Sequence, residues 1–108
     1  MMENKQMIDI FKALSNETRL NILTWLRHPE DNFPKQGCHL PDDTDLKGGV
    51  CVGSIQEKAG ISQSTISHYL DNMERAGLLI MERYGKWTYY RRNEETLKKL
   101  SDFFGEEL

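Results

Sequence analysis

Apolar residues recur every three or four positions along the first 27 residues. Met7, Ile10, Phe11 and Leu14 fall at i, i+3, i+4 and i+7, which predicts an amphipathic helix over residues 4–14. Ser15 and Asn16 offer an N-cap for a second helix. Its apolar positions are Leu20, Ile22, Leu23 and Leu26, with Trp25 beside them, and Pro29 stops it. The pattern lapses over residues 28–49. All three prolines (Pro29, Pro34, Pro41) lie there with Gly37, Gly48 and Gly49, so the stretch reads as an inserted loop. A structureless segment of that length is uncommon in a compact domain and is usually functional or mobile. Helical spacing resumes with Val52, Ile55 and Ala59 in a short helix over 51–59, which Gly60 ends as a glycine just past a helix end. Ser62 caps the next helix, from Gln63 to Arg75, with Ile66, Tyr69, Leu70 and Met73 as its stripe. Residues 78–83 and 87–92 are β-prone runs on either side of Tyr84-Gly85-Lys86, the pattern of a hairpin. Asn93 caps a last helix with Glu94 and Glu95 in its first turn, where they suit the dipole, and with Leu97, Leu100 and Phe104 on one face. The expected fold is one mainly α domain over residues 1–108 with a small β-hairpin.

Composition narrows the partners. A chain of 108 residues, 38% hydrophobic and 29% charged, has room for one modest core and is too apolar for global disorder. It has no apolar run of membrane-spanning length and no secretory signal behind Met-Met-Glu-Asn-Lys-Gln, so the expected compartment is the cytoplasm and no membrane partner is expected. Two cysteines, Cys38 and Cys51, are too few for a disulfide scaffold. The net charge of −3 is unfavourable to nucleic acid, but its distribution is not. Residues 50–92 carry six basic and four acidic side chains, whereas 28–49 and 93–108 each carry two basic and five acidic ones. Only charges near phosphate release counterions, so a basic centre in an acidic chain is compatible with DNA binding.

Residues 51–76 read as helix, three-residue turn, helix, and 78–92 as a wing. On a helical wheel anchored at Ile66, Leu70, Met73 and Ser62 fall within about 40°, while Ser64, His68, Asp71 and Arg75 lie opposite. Any surface helix has a polar outer face. This one differs in carrying small hydrogen-bonding residues in place of the usual Glu/Lys mixture. Gln63 can pair bidentately with adenine, and Ser64, Thr65, Ser67 and His68 can reach bases or phosphates, as Arg75 can further along. Arg83 and Lys86 flank the hairpin tip, where a basic loop reaches a minor groove or phosphate. Trp87, Tyr89 and Tyr90 read as packing aromatics, and Arg91 and Arg92 as neutralising charges at the start of the last helix.

These segments resemble the ArsR/SmtB family of bacterial winged-helix repressors. The run Phe11-Lys12-Ala13-Leu14-Ser15-Asn16-Glu17-Thr18-Arg19-Leu20-Asn21-Ile22-Leu23 is similar to its opening. Val52–Ile55, Gly60–Leu70 and Arg75-Ala76-Gly77-Leu78 are similar to its helix-turn-helix, and Gly85-Lys86-Trp87-Thr88-Tyr89-Tyr90 to its wing. The resemblance spans the chain except residues 28–49. It implies a homodimer joined through helices 1–14 and 93–108, with Met7, Ile10, Phe11, Leu97, Leu100 and Phe104 as interface residues. It also implies repression by occupancy of a double-stranded, pseudo-palindromic operator, relieved by an effector. The effector pattern departs from the family. Where its metalloid sensors carry Cys-Val-Cys, this chain has Cys51-Val52-Gly53, and residues 93–108 hold no His or Cys. A local thiolate site cannot be built from one cysteine.

No cofactor is implied. Cys38, His39 and Cys51 leave three readings open: ordinary thiols, a redox pair that would pull the loop onto the DNA-binding helices, or a zinc site. The run Asp42, Asp43, Asp45 lacks the glycine and final glutamate of a calcium loop and reads as solvated. No catalytic constellation stands out, so the expected function is a DNA-binding repressor. The alternatives are a thiol- or metal-responsive version using Cys38 and Cys51, and a winged helix used as a protein-interaction module.

Overall fold

The computed structural model describes residues 2–108. It comprises α1 (Asn4–Leu14), α2 (Glu17–Arg27), α3 (Pro29–Asn32), β1 (Val50–Cys51), α4 (Val52–Ala59), α5 (Gln63–Arg75), β2 (Leu79–Tyr84), β3 (Trp87–Arg92) and α6 (Glu94–Glu106). The capping residues read from the sequence act as caps. Asn16 Oδ1 accepts from the Arg19 N–H at 3.0 Å, Ser62 Oγ from Thr65 at 3.2 Å, and Asn93 Oδ1 from Thr96 at 3.3 Å. Each satisfies a helix N–H that would otherwise lack a partner. Gly60 ends α4 at φ +68°, a left-handed conformation that a side chain would strain.

The core forms where the stripes of the helices meet one face of the sheet. Ile10, Ile22, Ile55, Ile66, Leu70, Met73, Leu78 and Val50 are fully buried. Burying one such side chain contributes about 1.5–3 kcal/mol, so this cluster holds α5 in place.

The sheet is antiparallel, three-stranded and ordered β1-β3-β2. The sequence predicts a two-stranded hairpin. The extra strand is β1, whose two residues pair with Tyr89 and Tyr90, so the first helix of the helix-turn-helix begins at Val52 and not at 51. Two residues cannot display a period, which is why β1 is invisible to hydrophobic patterning.

The inserted loop is likewise more ordered than expected. Pro29 occupies the first turn of α3, so it stops α2 and starts a new turn, a position that suits its fixed φ and missing N–H. Phe33 is buried edge-on against Trp25, with ring centroids 6.4 Å apart.

Cross-strand partners share a sheet face and successive residues alternate. One face therefore carries Val50, Leu79 and Tyr90 toward the helices. The other carries Glu82, Tyr84, Trp87, Tyr89 and Arg91, and segment 36–49 lies against it. Close approach there needs Gly49: a Cβ at this position would come within 2.9 Å of the Leu46 carbonyl and 3.3 Å of Tyr89 Cβ.

Candidate nucleic-acid interface

Helix α5 divides cleanly. Ile66, Leu70 and Met73 have no exposed surface, and Ile55 of α4 packs with them. On the outside, Gln63, Ser64, Ser67 and His68 are exposed, with no carboxylate pairing them among the described residues. Two predicted contact residues are partly occupied within the protein. Thr65 is half-buried and its hydroxyl accepts from Ser62 Oγ at 2.9 Å, as part of the cap. Arg75, at the far end of the helix, pairs with Asp71 at 3.0 Å. The helix is also tethered sideways. Asn16 Nδ2 donates to the Tyr69 hydroxyl at 3.3 Å, and the Arg19 guanidinium lies 5.0 Å from the Tyr69 ring centroid. Asn16 caps α2, so a single residue fixes both a helix start and the flank of α5.

The wing sorts its four cations by role. Arg91 forms an ion pair and hydrogen bond with Glu82. Hydrogen bonds from Arg91, then from Tyr84, hold the Glu82 carboxyl below the ordinary glutamate value. Arg92 donates to both Glu94 oxygens, at 2.9 and 3.0 Å, and so neutralises the start of α6. Arg83 and Lys86 are exposed and have no carboxylate partner among the described residues. The Lys86 ammonium sits 5.3 Å from the Trp87 ring centroid. Tyr89 is buried, as a packing aromatic should be, while Trp87 is 39% exposed. Burial pushes the Tyr89 and Tyr90 hydroxyls above the usual tyrosine value, so both stay neutral near pH 7.

The expected interface helices need correction. Met7 and Ile10 are buried in the protomer's own core and cannot present a surface. They point inward because they line the side of α1 that packs on α2 and α5. Leu97 and Leu100 are partly buried against that core too. Within α1 and α6 the large apolar residues left open are Ile8, Phe11 and Phe104, 50%, 37% and 51% exposed, with the two phenyl rings 5.8 Å apart. Ile8 falls outside the helical spacing of the core stripe. An apolar residue off that stripe was the available signal for it.

The thiols and His39 also differ from the metal reading. Cys38 is exposed, and Cys51 is half-buried with its sulfur 3.2 Å from Ser54 Oγ; both are free. Together with His39 they do not form a three-donor group. The grouping that does form among the described residues is His28, Glu30 and Asp31, all exposed. His39 instead lies against the wing, its Nε2 3.0 Å from the Tyr89 hydroxyl. Hydrophobic patterning carries no signal for that contact, which spans 50 positions of sequence.

Comparison with known proteins follows the same lines. Residues 46–80 match the family described as bacterial regulatory protein, arsR family. The chain is 48% identical over 102 residues to the uncharacterized HTH-type transcriptional regulator YbzH of Bacillus subtilis strain 168, covering 94% of this chain and 97% of that protein. It is 31% identical over 93 residues to the transcriptional repressor SdpR of the same organism, covering 85% and 81%. Among solved structures, it aligns with the homodimeric winged helix-turn-helix DNA-binding domain Mb0332 of Mycobacterium bovis at TM-score 0.64 and 26% identity, over 94% of this chain and 76% of that one. The wing, the capped helix pair before it and a near full-length relative at 48% identity carry one conclusion: the chain belongs to the arsR family of bacterial regulatory proteins.

Proposed function

We propose that the protein is a transcriptional repressor that binds a pseudo-palindromic operator as a homodimer, reading base edges with Gln63, Ser64, Ser67 and His68 and touching phosphate with Arg83 and Lys86. The observation that carries this reading is the outer face of α5, which is exposed, uncharged and hydrogen-bonding, over an inner face with no exposed surface. Such a helix end can enter a major groove, where amide, hydroxyl and imidazole groups match base-edge donors and acceptors. Thr65 and Arg75 remain in the contact set with smaller roles, since each already has a partner within the helix. The apolar patch of Ile8, Phe11 and Phe104 supplies the two-fold contact, with Leu97 and Leu100 behind it. A two-fold dimer sets its recognition helices about one DNA turn apart, or a multiple of it. Repression is supported by the similarity to SdpR, and relatedness to a regulator family removes the ground for an enzymatic reading.

Selection from a pool of random duplexes tests this. The native chain is expected to enrich a sequence with two-fold symmetry, its half-site centres about 10 base pairs apart or a multiple. Failure to enrich any duplex, with no salt-dependent affinity, would favour the protein-interaction module instead.

A further inference from the structure

The function proposed above leaves segment 36–49 without a role. Three observations place it under the wing. Strand β1 reaches only Tyr89 and Tyr90, so toward the tip β3 is paired on one side alone. The His39 ring lies against the side chains of that part of β3: its centroid is 4.0 Å from that of Trp87, and its Nε2 is 3.0 Å from the Tyr89 hydroxyl. Directly across from Trp87 on the same sheet face, the Tyr84 hydroxyl lies 3.3 Å from the Asp45 carbonyl, which shares the hydroxyl proton with the nearer Glu82 carboxylate at 2.8 Å. At its base the segment is fixed by Gln36, whose amide oxygen accepts from the Cys51 N–H at 2.9 Å and whose amide nitrogen donates to Ser54 Oγ at 3.2 Å. Between these anchors a cleft of about 450 Å³ separates Leu40, Pro41 and Thr44 from the wing tip, so His39 and Tyr84 carry the contact.

We propose that segment 36–49 is a strut for the wing, and that His39 is a positioning residue that holds Trp87, and through it Lys86, in the attitude in which DNA meets them. His39, Trp87 and Lys86 form a continuous run of contacts: the imidazole tilted 47° against the indole, the ammonium over the same indole. An aromatic platform of this kind orients a lysine by attraction to the ring face and limits the directions its long stem can take. The segment itself carries Asp42, Asp43 and Asp45, so direct contact with phosphate is opposed by charge. Its effect on DNA passes through the wing. The groups around His39 and Trp87 are Lys86, Tyr84, Tyr89 and the Asp45 backbone, with the Cys38 and Cys51 thiols near Tyr89.

The inference rests on the DNA-binding function, and two measurements separate its failure from the failure of that function. The first needs no DNA. In a Trp25→Phe background, Trp87 is the sole indole. A protonated imidazole in contact with indole quenches its emission, so Trp87 emission should rise from pH 5.5 to 7.5 and stay flat once His39→Ala is added. Equal profiles with and without His39 would overturn the strut. The second uses a duplex enriched by the native chain. Lys86→Ala should lower the slope of log affinity against log salt by about one. His39→Ala should lower it by a similar amount, and the double variant no further. An unchanged slope in His39→Ala, or fully additive losses, would overturn the positioning role while leaving DNA binding intact. If the native chain enriches no duplex, the DNA-binding function falls and takes the positioning role with it, while the emission profile still decides whether the segment braces the wing. Should His39→Ala unfold, His39→Gln keeps hydrogen-bonding reach to Tyr89 without the ring. It should lose the pH-dependent emission and show a slope between the native and Lys86→Ala values; a native pH profile or a native slope in this variant would overturn the proposal.

Discussion

Two helical surfaces are left over after the core is made, and they differ in kind. The outer side of α5 shows Gln63, Ser64, Ser67 and His68, short polar groups on a rigid, capped helix. The outer side of α1 and α6 shows Ile8, Phe11 and Phe104, two of them aromatic and in contact. Helices α1 and α5 each bury an inward stripe of their own, so neither outer surface is required by the fold. The difference teaches what each surface can accept. Amide and hydroxyl groups gain little from apolar contact but match donors and acceptors in a groove. Exposed phenyl rings gain by removing water from another apolar surface, and a second copy of this chain presents the same patch.

The largest test breaks the apolar side. Phe104→Asp places a carboxylate in the two-fold contact, twice per dimer, where desolvation is costly. The chain should sediment as a monomer at micromolar concentration, and operator affinity should fall by at least about 100-fold, because two linked half-site contacts become independent. A folded monomer that still binds tightly would separate the two surfaces entirely. On the polar side, Ser67→Ala or His68→Ala should weaken operator binding by roughly 5–150-fold, the range of one base contact, with random duplex affinity nearly unchanged. Equal losses on both duplexes would move these residues from base reading to phosphate contact. Lys86→Ala is smaller and less selective. It should weaken operator and random duplex alike, with the loss fading as salt rises.

The comparison also shows which parts of the molecule are legible in the sequence. Periodicity and capping residues locate α1, α2, α4, α5, α6 and the hairpin, because Asn16, Ser62, Asn93 and Gly60 act locally and each leaves a one-residue signature. The outer face of α5 follows from the same wheel. Elements held by distant contacts are not legible. Strand β1 is two residues long and exists through its pairing with Tyr89 and Tyr90. The inward position of Met7 and Ile10 depends on how α1 packs, and the spacing that predicts an apolar stripe does not say whether it faces the core or a partner. His39 was readable only as a metal or redox candidate, because its neighbours Trp87 and Tyr89 come to it through the fold.

The smallest effect belongs to neither surface and sharpens the comparison by serving as its control. Glu82 lies between Arg91 and Tyr84 on the sheet face, and both hold its carboxyl below the ordinary value. A carboxyl with a lowered folded value stabilises the fold when pH is above its unfolded value, about 4.3, and loses that contribution as pH falls through the folded value. Glu82→Gln keeps one acceptor, for Arg91, turns an amide donor toward the Tyr84 hydroxyl, and cannot ionise. Melting curves should therefore show the native chain slightly more stable than Glu82→Gln at pH 7, with the gap closing below about pH 4. Oligomeric state and operator affinity at pH 7 should stay at native values, since the substitution touches neither the phenyl patch nor α5. A change in either would mean that the sheet face couples to the two surfaces, and that they are not the independent regions their chemistry suggests.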